Sequence, residues 1–391
     1  MKYAEHSYIY SAVRTPIGAF NGALSSVSAP DLAAVAITEA LKRSAVSLDA
    51  IGSVYLGNVL PAGLGQAPAR QAARKSGLPD HVGGFSVNKV CGSGLQCVIL
   101  ADQSVRLGQA DFVVAGGMEN MSRAPFLIPQ MRRGHKLGNA SMIDSMIHDG
   151  LWDSFEEKHM GQLSDALGQQ LAYSRESQDA YALNSYARAR RAQESGIFAR
   201  EIACVSFTKK GVQTVIDKDE QPFADDLDDF ASLSPVFDRE RGSITKGNGA
   251  KLNDGAAAMV IGKETADLKP IARIIAHTTH AQSPATFALA PVEAIRKILK
   301  ANQLSVNDID LFEINEAFAV MSLAVNEQLG LNPEKVNVHG GSIALGHPIG
   351  ATGARILVTL INALQERNLK RGLASLCIGG GEALAMIIER V

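Results

Sequence analysis

The sequence predicts a layered α/β protein made of two copies of one unit, on three observations. Residues 36–51, AITEALKRSAVSLDAI, align with residues 294–309, AIRKILKANQLSVNDI. Ala, Ile, Leu, Lys, Ser and Ile coincide, and most other apolar positions stay apolar. A second correspondence follows in the same order. Phe112–Glu119 resembles Leu373–Gly380, and Val87-Asn88 matches Val336-Asn337. Third, each copy reads as an amphipathic helix, a short loop and a strand, Ser53–Gly57 in one and Leu311–Asn315 in the other. Shared order at similar spacing marks a duplication. Strands alternating with helices imply sheets covered by helices on both faces. The junction of the halves is then the natural place for a site.

Taken in order, residues 1–10 lack the apolar block of a signal peptide and read as a first strand. The first helix–loop–strand unit follows. Gly84–Val87 is a further apolar stretch, and a helix is expected from near Leu95 to Leu107, with Gly108 as its cap. Residues from about 120 to 247 do not fit the repeat. They hold the basic stretch Arg132-Arg133-Gly134-His135-Lys136, the acidic stretch Asp225-Asp226-Leu227-Asp228-Asp229, and a helical segment from Arg175 to Glu194. This region reads as an insertion in the first half. The chain returns at Gly247-Asn248-Gly249, and Asn253–Ile261 is a turn leading into an apolar strand. The expected organisation is a first half of residues 1–119 with 248–268, an inserted loop domain of 120–247, and a second half of 269–391.

A chain of 391 residues is long enough for two or three domains, and 46% hydrophobic with 20% charged residues is ordinary globular composition. A net charge of −2 gives no pull toward nucleic acid or an anionic membrane. No run approaches the roughly 18 apolar residues of a membrane span. Glu389-Arg390-Val391 carries no lipidation or peroxisomal signal. The four cysteines, Cys91, Cys97, Cys204 and Cys377, form no CxxC pair and have no zinc-finger spacing, so no metal site is expected. Reduced thiols in a cytoplasmic setting are the default. Cys97, inside a helix, and Cys204, in the strand-like run Ile202–Val205, read as small buried hydrophobes.

Cys91 and Cys377 differ. Each lies where an apolar run meets glycines, in Cys91-Gly92-Ser93-Gly94 and Cys377-Ile378-Gly379-Gly380-Gly381. A thiol in the turn before a helix meets free N–H groups and the positive end of the helix dipole, which favour the thiolate nucleophile. Taken alone, Cys91 reads equally as a structural cysteine in a strand-to-helix turn. His347, in Gly346-His347-Pro348-Ile349-Gly350, can take a thiol proton or donate to an oxyanion, although a lone loop histidine usually does neither. A helix is expected after Pro348, through Arg355 to Leu364. Asn315 ends a strand before a helix, where it equally reads as an N-cap.

Five segments together resemble the thiolases: Cys-Gly-Ser-Gly at 91–94, Gly-Gly-Met-Glu-Asn-Met-Ser at 116–122, Asn-Glu-Ala-Phe at 315–318, Gly-His-Pro-Ile-Gly at 346–350 and Cys-Ile-Gly-Gly-Gly at 377–381. The likeness covers the whole chain, including His159-Met160-Gly161 in the insertion. Cys-Gly-Ser-Gly and the segment Met131–Leu151 look most like the short-chain biosynthetic branch, the acetyl-CoA acetyltransferases. The resemblance implies duplicated halves forming an α-β-α-β-α core. It also implies a reversible two-step condensation of two acetyl-CoA to acetoacetyl-CoA and CoA. Cys91 would carry the acetyl group, and His347 would activate it. Cys377 would act as general acid and base. His347 and a water held by Asn315 would meet one oxyanion, and the N–H groups of Cys91 and Gly379 the other. CoA thioesters are then substrates and no cofactor is implied. The insertion would bind CoA and make the contacts of a homotetramer, a dimer of dimers. A 3-ketoacyl-CoA thiolase of fatty-acid β-oxidation shares every catalytic group. A silent acyl-CoA-binding relative would have lost Cys91, His347 or Cys377, and a decarboxylating ketoacyl synthase uses two His where this chain has Asn315 and Cys377.

His159, Met160, Ala250, Lys251, Phe287 and Phe318 are the expected substrate contacts. Three places depart from the family pattern. Ala250 stands where many members have a Ser that touches CoA, and no Arg stands near Gln221-Pro222-Phe223 where many place one against the nucleotide. The adjoining acidic stretch would repel phosphate. Lys251 is expected to supply part of that lost charge, or to be a solvated surface lysine. Phe287 stands in Phe287-Ala288-Leu289-Ala290-Pro291, where short-chain members usually have Met-Gly-x-Gly-Pro, and would shorten the acyl pocket or line a different one.

Overall fold

The computed structural model describes residues 5–391 apart from 210 and 226, so residues 1–4 and Asp226 of the acidic stretch lie outside the described residues. Ten strands form one mixed sheet: β1 (Tyr8–Arg14), β2 (Gly18–Ala19), β3 (Ile51–Gly57), β4 (Gly83–Val87), β5 (Phe112–Asn120), β6 (Asn253–Gly262), β7 (Ala272–Ala281), β8 (Leu311–Ile314), β9 (Arg371–Ile378) and β10 (Glu382–Arg390). Their order is β8-β9-β10-β7-β1-β6-β5-β3-β4, with β2 on β6. β1 and β7 are joined by only two residue pairs, Tyr8 with Arg273 and Ile9 with Ala272. Either side of this seam the pattern repeats. On one side β3 runs parallel to β4 and β5, and β5 meets antiparallel β6. On the other, β8 runs parallel to β9, β9 meets antiparallel β10, and Val336 bridges Phe312 where the counterpart of β4 would lie.

The helices that matter to the site are α1 (Ala29–Ser44), α2 (Ser93–Arg106), α3 (Met160–Gln170), α4 (Arg175–Glu194), α5 (Ala290–Ala301), α6 (Ala319–Leu329) and α7 (Thr352–Glu366). α1 covers the outer face of β1, β5 and β6, and α5 covers β7 and β10. Between the two halves of the sheet lie α2 and α7, packed on each other and on strands of both halves. The layers therefore run helix, sheet, helix, sheet, helix. α7 is buried from Thr352 to Leu364, and β5 and β6 at every residue. That explains their continuous apolar runs, since elements covered on all sides have no polar face to show.

The repeat seen in the sequence is a repeat of elements. α1, a 3₁₀ turn at Leu48–Ala50 and β3 correspond to α5, a 3₁₀ turn at Val306–Asp308 and β8. Ser28 caps α1, its hydroxyl accepting from Asp31 N at 3.3 Å, and Pro sits in the first turn of both α1 and α5, where its missing N–H costs nothing. α2 starts two residues before the expected Leu95. It ends as expected before Gly108, which holds φ +69 while Gly108 N and Gln109 N bond back to Val105 and Ser104. Cys97 is buried in α2, whereas Cys204 is exposed beside the strand Val205–Lys209, against the expectation of a buried residue. Its strand is the edge of a small two-stranded sheet and not of the core.

α2 and α7 cross at their N-terminal turns. A Cβ on Gly94 would lie 2.7 Å from Ala354 N, and one on Gly353 would lie 2.5 Å from Leu95 N. Only glycine permits this backbone-to-backbone approach. It brings the turn before α2 and the loop before α7 together, and these carry Cys91 and His347.

Candidate active site

Cys91 occupies a tight turn between β4 and α2. Gly92 N bonds to Lys89 O at 3.0 Å, and Ser93 Oγ donates to Val90 O at 2.6 Å while accepting from Lys89 N at 2.8 Å. Val90 holds φ +46, a left-handed conformation that β-branched residues rarely adopt. Strain of this kind concentrates where a side chain must be aimed. The Cys91 sulfur receives the N–H of Gly379 and its own N–H. Burial nevertheless pushes the thiol up to about 11. The thiolate expected from the helix terminus is therefore not the resting form, because desolvation outweighs the donors.

Cys377 is the next-to-last residue of β9 and is 1% exposed. Burial, and then the neighbouring Cys91, push its thiol well above the ordinary range. His347 is lowered to about 3 by burial and then by the Arg355 charge. All three groups are neutral near pH 7.

The His347 loop is held at both ends. His347 N donates to Asn253 Oδ1 at 3.0 Å, and Gly350 N donates to Glu119 Oε2 at 3.0 Å. Glu119 also accepts from Asn58 Nδ2 at 2.7 Å and from Val59 N and Leu60 N at 2.9 and 3.2 Å. Gly346 holds φ +104, and a Cβ there would run into the Asn253 amide. The tautomer of the imidazole follows from its neighbour. Thr352 Oγ1 gives its proton to Pro348 O at 2.9 Å, so at 2.6 Å from His347 Nδ1 it accepts. Nδ1 carries the hydrogen, and Nε2 is left as a free base.

Asn315 is not a helix N-cap. α6 begins at Ala319 with Phe318 in the cap position, because the Asn315 side chain turns into the protein. It is 1% exposed, its Oδ1 accepts from Ser342 Oγ at 2.6 Å, and its Nδ2 has no hydrogen-bond partner among the described residues.

Cys91, His347 and Cys377 line one cavity of about 410 Å³. The six expected substrate residues line it too: His159, Met160, Ala250, Lys251, Phe287 and Phe318. Asn315 and Gly379 are not among its lining residues. His159 caps α3, its Nδ1 accepting from Gly161 N at 3.0 Å, and stacks on Phe237 with ring centres 4.7 Å apart. A Cβ on Gly379 would lie 3.3 Å from Met160 Sδ, so Met160 packs over that turn. Ala250 N bonds to Ala317 O at 2.9 Å, joining the 249–252 segment to the loop that carries Phe318. Phe287 is 3% exposed and belongs to the apolar cluster that contains Cys377.

Lys251 is not a solvated surface lysine. Its Nζ donates to Tyr186 OH at 2.7 Å and lies 3.6 Å from Asp225 Oδ2, and burial lowers it to about 8. Asp225 also accepts from Tyr186 and Gln221, so its charge is spent inside the protein rather than on the cavity. Lys246, which the sequence reading passed over, is exposed on the cavity wall and has no ion-pair partner among the described residues. The anchoring roles of Glu119, Asn253 and Thr352 were also missed. The available signal was a carboxylate and an amide set in strands of small apolar residues, Gly116–Asn120 and Asn253–Ala258.

The Cys91 sulfur receives two backbone N–H groups and shares one cavity with His347 and Cys377, a set of groups that can carry an acyl group on a cysteine. The chain matches the model of the thiolase N-terminal domain over residues 7–265 and that of the thiolase C-terminal domain over residues 268–390. It belongs to the thiolase family and is an acyltransferase. It is 49% identical over 98% of both chains to an acetyl-CoA acetyltransferase of Escherichia coli. It is 48% identical to a probable acetyl-CoA acyltransferase of Staphylococcus aureus, over 97% of this chain and 98% of that one. Among solved structures it resembles the Bacillus anthracis acetyl-CoA acetyltransferase, at 40% identity and TM-score 0.97 over the whole of both chains. It also resembles the Acat5 thiolase of Ascaris suum in complex with coenzyme A, at 40% identity and TM-score 0.93 over 99% of this chain and 100% of the other.

Proposed function

We propose that this protein is an acetyl-CoA C-acetyltransferase that condenses two acetyl-CoA to acetoacetyl-CoA and CoA, reversibly and through an acetyl-Cys91 intermediate. The observation that carries this reading is the placing of Cys91, His347 and Cys377 on one cavity, with the Gly379 N–H on the Cys91 sulfur. The names of the Escherichia coli and Bacillus anthracis relatives support it.

His347 Nε2 takes the Cys91 proton as the sulfur attacks the first thioester carbonyl. The tetrahedral oxyanion meets the N–H groups of Cys91 and Gly379, a kind of donor worth about 3 kcal/mol each. CoA leaves and takes the Cys377 proton. The Cys377 thiolate then removes an α-proton from the second acetyl-CoA. A thiol pushed so far up gives a strongly basic thiolate, as a weakly acidic carbon requires. His347, now protonated, donates Nε2–H to the enolate oxygen beside a water held by Asn315. The enolate carbon attacks acetyl-Cys91, and the released thiolate recovers its proton from His347.

Residues 120–247 act in this reading as one inserted unit between the parts of the first half, 1–119 and 248–268, with 269–391 as the second half. The insertion supplies CoA contacts through His159 and Met160. It also supplies a contact between copies, supported by the exposed Phe126, Met131, Leu137 and Met142. The assembly is a homotetramer working in the cytoplasm, where its thiols stay reduced. Phe287 closes the acyl pocket against long chains. The test is thiolysis at fixed CoA, comparing acetoacetyl-CoA with 3-ketohexanoyl- and 3-ketodecanoyl-CoA. A strong preference for acetoacetyl-CoA is expected. Equal or better rates on the longer substrates would assign the protein to fatty-acid breakdown instead.

A further inference from the structure

A buried polar chain of residues that the reaction above does not use, Glu313, Arg355 and Ser342, ends on Asn315. Arg355, on the first turn of α7, is 2% exposed, and its Nη2 donates to Ser342 Oγ at 2.7 Å. Ser342 is fully buried, and its Oγ lies 2.6 Å from Asn315 Oδ1. Glu313, 1% exposed, sits with its Oε2 3.8 Å from Arg355 Nη1. Apart from this ion pair, the Glu313 oxygens and Arg355 Nε and Nη1 have no hydrogen-bond partner among the described residues. The Ser342 bond is therefore the only hydrogen bond of this guanidinium among the described residues.

The direction of each bond is forced. A guanidinium only donates, so Ser342 Oγ accepts from Arg355 and must give its own proton elsewhere. The acceptor within reach is Asn315 Oδ1. Were the amide turned over, its NH₂ would face an oxygen already receiving an Arg donor, and the serine proton would be stranded in the core. Leaving buried polar groups unmade is what such sites avoid. The chain thus leaves Nδ2 as the amide's free donor. Asn315 stands one residue past β8, its N bonded to Ser375 O at 3.0 Å, two residues before Cys377 on β9, while Ala317 and Phe318 beyond it line the cavity.

We propose that Arg355 and Ser342 are positioning residues that fix the Asn315 amide with Nδ2 toward the enolate. Arg355 does so by holding the Ser342 hydroxyl in one direction. The inference rests on the reading of Asn315 as the holder of the enolate-side water. It also makes Ser342 selective in its effect. The oxyanion over Cys91 is met by the backbone N–H groups of Cys91 and Gly379, which the chain does not touch.

The test separates the two half-reactions. Acetylation of Cys91 by acetyl-CoA reports the first, and exchange of the acetyl-CoA methyl protons in D₂O reports enolisation. Ser342→Ala is expected to slow exchange about ten-fold or more, the scale of one misplaced donor, and to leave Cys91 acetylation within about two-fold. Ser342→Cys, which keeps a weak donor of similar size, is expected to fall between. Retained acetylation shows that each variant is folded. Equal loss of acetylation and exchange in both variants would mean a merely structural serine and overturn the proposal. So would wild-type exchange in Ser342→Ala when Asn315→Ala has lost it. Wild-type exchange in Asn315→Ala would remove the reading of Asn315 itself, and the positioning chain with it.

Discussion

His347 Nδ1 lies 2.6 Å from Thr352 Oγ1, and Thr352 is a donor to Pro348 O, so this threonine decides which imidazole nitrogen is free. Thr352→Val keeps the shape and removes the acceptor. The imidazole can then carry its hydrogen on Nε2, and any remaining Nδ1–H loses its partner. Cys91 acetylation is expected to fall about ten-fold or more, since a buried hydrogen bond of this kind is worth about 1–3 kcal/mol. Rapid-quench acetylation with a thermal melt checks it. An unchanged rate would detach the tautomer from the chemistry.

The pH behaviour follows from the directions of the shifts. Cys91 is raised to about 11, so its thiolate fraction grows through pH 7–10 without levelling off. Iodoacetamide labelling of Cys91 is expected to rise about ten-fold per pH unit over that range, since only the thiolate reacts. The folded thiol keeps its proton above the ordinary unfolded value near 8.5, where the unfolded chain loses it. This contribution to stability is present below that value and is lost as pH rises toward 11. His347, lowered to about 3, stays neutral from pH 5 to 9, so the kcat profile should show no limb near 6.5. A labelling midpoint below 8 would contradict this account.

Glu119 gathers four N–H donors from two segments, 58–60 and the loop at Gly350, and holds Gly350 in place. Glu119→Ala strands all of them. At about 1 kcal/mol for each buried donor, the loss is about 3–4 kcal/mol of stability. Urea titration measures it, and activity at low temperature should drop as well, because the His347 loop loses one of its two anchors. Full activity in a folded variant would show that the Asn253 bond alone positions His347.

The two lysines of the cavity should behave differently. Lys251 is committed to Tyr186 and Asp225, so Lys251→Ala should lower thermal stability and leave the KM for CoA nearly unchanged. Lys246 is exposed on the same wall with no ion-pair partner among the described residues, so Lys246→Ala should raise that KM about three- to ten-fold, with a smaller effect at high salt. The reverse result would return the phosphate contact to Lys251.

Much of this site could be read before any coordinates. Cys91, His347 and Cys377 announce themselves by their glycines, because the glycines do local work that sequence records. Gly94 and Gly353 let two helices touch, and Gly346 makes room for Asn253. The duplication was legible because both halves bury the same faces and so keep the same apolar spacing. The protonation states were not legible. A helix terminus and a turn are local, whereas the burial that sets Cys91 near 11 comes from the whole surrounding fold. The fate of Lys251 was hidden for the same reason, since its partners Tyr186 and Asp225 are distant in the chain. The Arg355–Ser342–Asn315 chain joins three separate segments, and nothing in any one of them marks it.

The most direct measurement is peptide mass spectrometry of the protein quenched after mixing with acetyl-CoA alone. One acetyl group is expected on the peptide that carries Cys91, in the wild type and in Cys377→Ser. None is expected in Cys91→Ser, and the label should be lost on adding CoA. Acetyl on another residue, or no acetyl-enzyme in a protein that still makes acetoacetyl-CoA, would contradict the acetyl-Cys91 intermediate.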